Sequence, residues 1–311
     1  MKGFRKYAFV TTAATYLLIF IGGLVRVSGA GLGCPDWPKC FGRWIPPTSV
    51  DQLPSDIDPS RFNFVLAWIE YFNRLCGMAV GLLILILAIW AVRKYRHYPK
   101  ILWGSLLALV LVILEGIQGG VLIRMELEPL AVTVHTVLAL IIVSILVYVT
   151  LNAYYIEKPP EKTSVYLKRT DIWIAIAWWV SVAQIFLGTQ IRASIEIIAE
   201  RYPLLSELEW LAKVGGTKHL HITLGFLLFG MTLYFGNNII KKSKLPSSLA
   251  ILGAWGMIIL ISAQIVVGLV LLFIGIPPLM QVFHLWLASL YIGLALMTYS
   301  AVRNTKGSEI G

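Results

Sequence analysis

Three histidines are the side chains of this 311-residue chain best suited to chemistry. His135, His221 and His284 each lie in the first turns of an apolar segment long enough to cross a membrane. Ionisable side chains inside a bilayer are costly, and they mark functional sites by default. Because imidazole is a common axial ligand of haem iron, the three histidines predict a haem site within the membrane.

The other two histidines are weaker candidates for the same role. His219 lies two residues before His221, which turns it by about 200° around a helix and predicts an interfacial position. It stays open as an alternative ligand to His221. His97 lies in a basic loop, which predicts a solvated side chain. A single buried histidine could instead hydrogen-bond a neighbouring helix, but three histidines at one depth favour a ligand.

The elements that must position these histidines are membrane-spanning helices. Hydrophobic residues make up 58% of the chain and charged residues 14%, which is typical of an all-α integral membrane protein. A Glu-rich outer segment, residues 193–217, also predicts a short surface helix. The eight predicted transmembrane spans are residues 8–27, 64–92, 101–123, 131–155, 172–192, 218–240, 248–275 and 279–302.

The distribution of charge predicts the orientation of the chain in the membrane. When the N-terminus is placed in the cytoplasm, the inner segments hold most of the Lys and Arg, whereas the outer segments are nearly balanced. This bias indicates a multi-pass protein of the cell (plasma) membrane with both termini cytoplasmic. The net charge of +10 therefore reflects topology and gives no support to nucleic acid binding.

The two halves of the chain repeat. Because four spans are an even number of crossings, the two copies point the same way. They predict two pseudo-symmetric four-helix bundles, residues 1–155 and 171–311, joined by a cytoplasmic linker, residues 156–170. The matching signals are Gly22-x-x-x-Arg26-x-Ser28 with Gly188-x-x-x-Arg192-x-Ser194, Asn73-x-x-x-Gly77 with His221-x-x-x-Gly225, Glu115-x-x-x-Gly119 with Gln264-x-x-x-Gly268, and His135 with His284.

This topology predicts a ligand set in each half, at one depth in the outer third of the membrane. The second half offers His221 and His284, which suit a six-coordinate, low-spin haem. The first half offers His135 opposite Asn73, and a neutral amide is a poor iron ligand, so an iron there could keep an open position. Arg26 and Arg192 reach the same depth and could bind haem propionates. The alternative is that both arginines only extend to the outer surface.

A carboxylate lies close to the predicted site in the first half. Glu70 precedes Asn73 by nearly one helical turn, and a carboxylate in lipid is expensive unless it is paired or functional. Arg74 follows Glu70 at i, i+4 spacing, which predicts an ion pair. Glu70 can be functional and can also form the ion pair with Arg74. Glu115 is either a second buried acid or a residue that packs against the small residues of its span.

Two of the three cysteines lie in the first outer loop, GCPDWPKC. Cys34 and Cys40 would face an oxidising environment, and two intervening prolines restrict the loop, which predicts a disulfide. A metal-binding pair is the alternative, but no third ligand lies nearby in the sequence. Cys76 lies inside the membrane and is interpreted as a small packing residue.

The chain resembles the haem A synthase family over essentially its whole length. The resemblance is carried by the stretch IGGLVRVSGAGLGCPDWPKCFGRW, the EYFNR that follows it, and the three histidines in later even-numbered spans. It implies eight transmembrane helices in two four-helix bundles. It also implies oxidation of the C8 methyl group of haem O to a formyl group, giving haem A by successive hydroxylations. One half would hold a haem b cofactor, and the substrate haem would occupy the other.

The resemblance implies a role for several residues named above. Glu70 becomes the candidate catalytic acid, and His135 becomes the ligand of the substrate haem, with Asn73, Arg74 and Arg26 around it. The residues implied for the haem b half are His221 and His284 as ligands, with Arg192 beside them. Cys34 and Cys40 match the loop cysteines of the family.

The chain departs from the family pattern at two points. Asn73 stands where the family often has His, and the second pair of outer cysteines is missing. Asn73 speaks against one alternative function, a non-enzymatic di-haem electron carrier. The other alternative, a haem-handling assembly protein without turnover, would not require Glu70. The expected partners are haem O, membrane lipid, haem O synthase and cytochrome oxidase assembly factors, with a homo-oligomer also open.

Overall fold

The structure is a computed structural model, and it describes residues 2–55, 57–159, 169–242 and 248–304. Within these ranges every secondary-structure element longer than a single bridge is a helix. The α-helices are α1 (Lys2–Val27), α2 (Phe64–Lys94), α3 (Pro99–Arg124), α4 (Pro129–Glu157), α5 (Thr170–Arg201), α6 (Glu207–Lys213), α7 (Gly216–Lys242), α8 (Ser248–Phe273) and α9 (Pro278–Asn304).

Eight of these helices are long and apolar enough to cross a membrane, and α6 is the exception. The predicted all-α membrane fold and its eight spans are therefore confirmed. Two bounds differ from the prediction by more than two residues, since α1 begins at Lys2 and α5 continues to Arg201. The predicted surface helix is present as α6, but the preceding Glu196 and Glu200 belong to α5.

The extra turns of α5 have a physical reason that hydropathy does not contain. Glu196 accepts a hydrogen bond from Arg192 at i, i+4 spacing, so the charges that seemed to end the span pair along the helix. Ile195 is buried against Leu211 and Val214 from the α6 region, which gives the extension an apolar face. The helix therefore continues to Arg201 and packs against α6 near its end.

Proline residues set where the helices that carry two of the histidines begin. Pro129 and Pro278 each occupy the first position of a helix, where the missing N–H has no helical partner to lose. His135 is thus the seventh residue of α4, and His284 is the seventh residue of α9. The equal spacing puts both imidazoles at the same height within their helices.

The eight spans contact one another in two closed rings. In the first ring α1 packs against α2 and α4, and α3 packs between α2 and α4. In the second ring α5 packs against α7 and α9, and α8 packs between them. Each ring has its own buried apolar cluster. This arrangement is compatible with two pseudo-symmetric bundles, while the domain bounds stay a prediction and most of the linker lies outside the described residues.

The two rings meet through α1, α4, α5 and α9. Trp286 donates its indole N–H to the main-chain carbonyl of Tyr16 over 3.0 Å. Phe20 packs against Phe283 and Trp286, with ring centroids 5.7 and 5.1 Å away. An apolar, aromatic seam with one polar contact therefore joins α1 of the first ring to α9 of the second.

Candidate functional site

One continuous cavity of about 1770 Å³ extends through both rings. A site for one small molecule usually has roughly 300–1,000 Å³, so this space can hold more than one ligand of that size. Most of its lining is apolar. The cavity brings together all the site residues that the sequence predicts within the membrane: Arg26, Glu70, Asn73, Arg74, His135, Arg192, His221 and His284.

The two remaining histidines lie elsewhere. His219 and His97 are both exposed and do not line the cavity. His219 is rotated away from His221 around the helix and lies outside the cavity, as helical geometry predicts. The structure therefore gives no support to His219 as an alternative ligand.

The imidazoles of His221 and His284 face each other in the second ring. Their centroids are 6.1 Å apart, and their planes are inclined at 53°. Bonds between a metal and an imidazole nitrogen are about 2.0–2.1 Å in zinc sites, so this separation leaves room for one metal ion between the rings. The Nδ1 atoms of both histidines are buried and lack a hydrogen-bond partner. The pair is suited to a shared ligand that the protein alone does not supply.

Glycines of the internal repeat explain how the histidines fit between the helices. A Cβ atom added at any of three glycines would lie within 4.0 Å of the Cε1 atom of a cavity histidine, which is ordinary van der Waals contact in two cases and a tight contact at Gly268. The pairs and distances are Gly119 with His135 at 4.0 Å, Gly188 with His221 at 3.7 Å, and Gly268 with His284 at 3.3 Å. Gly22 and Gly77 line the cavity and have nothing within 4 Å of such a Cβ atom.

The first ring contains a different set of groups. His135 has its Nδ1 atom 3.2 Å from Oε1 of Glu115, although the two lack hydrogen-bond geometry. The Oδ1 atom of Asn73 is buried without a partner. The structure thus answers the question left by the sequence for Glu115, which lines the cavity beside a histidine. No local signal predicted this contact, because the two residues lie on different helices.

Glu70 and Arg74 form the expected ion pair, and the pair also holds the first outer loop. Arg74 donates to Oε1 of Glu70 over 2.5 and 3.1 Å. The backbone N–H of Cys34 donates to Oε2 of Glu70 over 2.7 Å. Arg74 further donates to the carbonyls of Asp36 and Lys39 over 2.9 and 2.7 Å. The buried carboxylate therefore has partners at both oxygens.

The predicted disulfide is present in that loop. The sulfur atoms of Cys34 and Cys40 are 2.01 Å apart, and both residues are buried. Trp37, which lies between them, lines the cavity and packs closely on α3 at Gly120, where a Cβ atom would lie 2.9 Å from its ring. The loop therefore covers the cavity of the first ring and is fastened to α2 through Glu70 and Arg74.

Arg26 and Arg192 come from different rings and share one carboxylate. Glu196 accepts from Arg26 over 2.7 Å and from Arg192 over 3.1 Å. Arg192 also donates to the side-chain oxygen of Gln281. Both guanidinium groups line the cavity instead of only extending to the outer surface. Glu196 was missed as a site residue, although its i, i+4 spacing from Arg192 was a local signal for that ion pair. Its bond to Arg26 joins two helices and has no local signal in the sequence.

The protein ligands alone do not complete a metal site. Within the described ranges, no three residues among His, Cys, Asp and Glu cluster closely enough to hold an ion. A bare metal ion usually needs at least three protein ligands, whereas haem brings its own nitrogen donors and needs one or two. Paired imidazoles, unpartnered buried nitrogens and glycines that open the lining therefore fit a haem better than a bare ion.

The fold and cavity define a class, a multi-pass helical membrane protein whose cavity contains two unlike groups of histidines. The chain belongs to the cytochrome oxidase assembly protein family, whose model matches residues 5–296. The family resemblance drawn from the sequence is thereby confirmed.

Similar proteins carry the name Heme A synthase. The protein of that name from Shouchella clausii strain KSM-K16 is 24% identical, and the match covers 94% of this chain and 95% of the relative. The one from Shewanella oneidensis strain MR-1 is 31% identical over 58% of this chain and 54% of the relative. The one from Halalkalibacterium halodurans is 28% identical over 48% of this chain and 45% of the relative.

Proposed function

We propose that this protein oxidises the C8 methyl group of haem O to a formyl group and so produces haem A for cytochrome oxidase. Its family and the name of its relatives support this activity. The observation that carries it is the pairing of two unlike histidine sites in one cavity. An electron carrier would be expected to hold both haems alike, whereas here one site has two histidines and the other has one.

The second ring is the proposed site of the haem b cofactor. His221 and His284 would ligate its iron, and Arg192 would bind a propionate. The 6.1 Å separation of the two imidazoles supports this assignment. When bound, the haem supplies the redox chemistry, which the amino acid side chains of the chain cannot provide.

The first ring is the proposed site of the substrate haem. His135 would ligate its iron, while Asn73 faces the cavity without an obligatory metal bond. Arg26 and Arg74 would provide cations for the propionates. Because Arg26 already bonds to Glu196 and Arg74 already bonds to Glu70, the propionates would have to share or displace these carboxylates. Sharing of Arg74 would leave Glu70 in the position that its contacts with Arg74 and Cys34 define.

Glu70 is the proposed catalytic acid, and its contacts suggest how it acts. Both carboxylate oxygens accept hydrogen bonds, from Arg74 and from the backbone of Cys34. A carboxylate held in this way has a fixed position and is poorly available as a proton acceptor. Its contacts favour electrostatic stabilisation of positive charge that develops at the edge of the substrate.

The surroundings of the protein are part of the same proposal. Both termini would face the cytoplasm of a cell membrane, as the excess of Lys and Arg in the inner segments supports. The Cys34–Cys40 loop would then lie on the outer, oxidising side. Haem O synthase and cytochrome oxidase assembly factors are the proposed protein partners, and a homo-oligomer is compatible with the long exposed apolar faces.

Pigment extraction tests the function directly. Protein purified from cells that make haem O should yield haem B together with haem O or haem A when the extract is resolved by chromatography. Two molecules of haem B for each chain, with neither haem O nor haem A, would instead identify an electron carrier. A chain that binds haem O without ever yielding haem A would identify a haem-handling protein.

A further inference from the structure

In all three cavity histidines the same ring nitrogen lacks a hydrogen-bond partner. The Nδ1 atoms of His135, His221 and His284 are buried and have no hydrogen-bond partner. If Nε2 of an imidazole binds iron, Nδ1 carries the proton and requires an acceptor. Leaving a buried N–H without an acceptor is costly, so each histidine requires an oxygen nearby.

Besides Oδ1 of Asn73, three buried side-chain oxygens in the same cavity lack a partner. They are Oε2 of Glu115, Oε1 of Gln184 and Oε1 of Gln264. Each of these residues precedes by four positions a glycine that contacts a histidine ring, namely Gly119, Gly188 and Gly268. Since residues four apart lie on the same face of a helix, each of these residues lies one turn from the glycine that contacts the imidazole.

The surroundings of the three residues support this pairing. Oε1 of Glu115 is already 3.2 Å from Nδ1 of His135. Gln184 donates its Nε2 to the backbone carbonyl of His221 over 2.9 Å, which keeps its amide oxygen beside that residue. The glycine that follows Gln264 by one turn, Gly268, would place a Cβ atom 3.9 Å from Nδ1 of His284.

The repeat supplies an internal control. Asn73 is the counterpart of His221, and Gly22 is the counterpart of Gly188. The residue four positions before Gly22 is Leu18, which has no oxygen to offer. The polar side chain is thus present opposite each cavity histidine and absent opposite the asparagine. A purely structural role, such as joining two helices, would not follow the histidines in this way.

We propose that Glu115, Gln184 and Gln264 are positioning residues, each of which accepts the Nδ1–H of one histidine and thereby aims its Nε2 atom at a haem iron. The assignment rests on the proposed haem-binding role of the three histidines. Such acceptors fix the orientation of a ligating imidazole and raise its basicity. They form no contact with the iron, and they act only through the histidine.

The acceptors also make the two sites electronically different. Glu115 and Gln264 occupy equivalent positions of the repeat, but one is a carboxylate and the other a neutral amide. When His135 ligates an iron, the positive charge of the metal would favour the carboxylate form of Glu115, which would make the imidazole a stronger donor and favour the oxidised iron. A haem on His135 would therefore have a lower reduction potential than it would have with glutamine at residue 115.

Reciprocal isosteric exchange tests this assignment in the full-length protein. We expect E115Q to raise the midpoint potential of the His135 haem and to lower its iron–histidine stretching frequency in resonance Raman spectra. We expect Q264E to lower the midpoint potential of the His221–His284 haem. Each variant would leave the other haem unchanged. The measurements are anaerobic redox titrations of purified protein that carries haem B and is loaded with haem O.

A control outside the cavity separates a specific contact from added charge alone. Gln190 on α5 does not line the cavity, and its partner is the hydroxyl of Thr133, which can donate to a carboxylate, so Q190E should leave both potentials close to those of the unmodified protein. A shift in Q190E as large as that in Q264E would overturn the assignment, as would unchanged potentials and Raman frequencies in E115Q and Q264E. Failure of the unmodified protein to bind haem through these histidines would overturn the proposed function itself.

Discussion

Glu70 is the residue whose surroundings limit its chemistry most sharply. It is 4% exposed, and Arg74 and the backbone of Cys34 occupy its two oxygens. The sequence predicted the Arg74 partner from i, i+4 spacing, but it did not predict the main-chain donor from the loop. A substitution at this residue therefore alters both a charge near the substrate and the attachment of the loop.

Replacing Glu70 with Gln should stop the oxidation and leave the cofactor in place. The amide keeps the shape but loses the charge, and removal of one preorganised electrostatic group typically costs about 10²–10³-fold in rate. Chromatography of haem extracted from cells that express E70Q should show haem O or a hydroxylated intermediate in excess of haem A. Asn73→Ala should be milder, and His135→Ala should be severe. Normal haem A output from E70Q would remove Glu70 from the mechanism.

Replacing His284 or His221 with Ala should abolish a low-spin haem signal. Each variant removes one of the two imidazoles that face each other across 6.1 Å, so six-coordinate ligation becomes impossible. The optical spectrum of the purified variant is the measurement, and His219→Ala is the matched control on the same helix because that residue is exposed. Full retention of the low-spin signal in both His221→Ala and His284→Ala would contradict the assignment.

At the scale of the element, the approach of helix to histidine depends on single glycines. Gly268 on α8 allows the ring of His284 to lie where a Cβ atom would be only 3.3 Å from Cε1. The cost of glycine within a helix is roughly 0.5–1 kcal/mol, which the cavity geometry has to offset. Glycine at this position therefore favours the geometry of the site at the expense of helix stability.

Gly268→Val should displace the His284 ring and weaken the low-spin haem signal. Overpacking at such a position typically costs about 1–3 kcal/mol. Gly230→Val on α7 is the control, because nothing lies within 4 Å of a Cβ atom at Gly230. Haem content and the optical spectrum of both purified variants are the measurements. Equal loss in the two variants would indicate a general effect of valine on the helices.

The disulfide loop is the second element that the site depends on. We expect mass spectrometry without reductant to find Cys34 and Cys40 joined and Cys76 reduced in protein from intact membranes. A Cys34→Ser, Cys40→Ser double variant should lose roughly 2–4 kcal/mol of loop stability and release the N–H donor that holds Glu70. Its haem A output should fall while its haem B content stays near normal. Free, alkylatable Cys34 and Cys40 thiols in the native protein would refute the structural bridge.

At the scale of the whole molecule, one carboxylate links the two rings. Glu196 on α5 bonds to Arg26 on α1 and to Arg192 on its own helix. Both arginines are proposed partners of haem propionates. Binding at one haem site can therefore change the ion pairs at the other through Glu196.

The orientation of the whole molecule can be tested with single cysteines. Leu204 lies between α5 and α6 and is 99% exposed, and Asn304 is the last residue of α9. In intact cells a membrane-impermeant thiol reagent should label Leu204→Cys and should label Asn304→Cys only after the membrane is opened. Labelling of Asn304→Cys in intact cells would contradict the cytoplasmic position of the C-terminus.

The sequence by itself determined the features that depend on neighbouring residues along the chain. Hydropathy over about 20 residues predicts a membrane helix, and the charge bias of the loops predicts topology without any knowledge of packing. The i, i+4 rule likewise predicted the Glu70–Arg74 pair, because both residues belong to one helix. The span count followed from such local signals, while the depth of the histidines in the membrane and the division into two halves stay predictions.

Only the tertiary structure decided which groups meet across helices. Glu115 beside His135, Glu196 between two arginines, and Cys34 on Glu70 all join separate elements. Each contact depends on how far a helix is rotated about its axis and how closely it approaches its neighbour. Hydropathy does not fix these quantities, since lipid and protein interior are equally apolar and a span can rotate without changing its apolar character. Packing around glycines and buried polar atoms makes that choice.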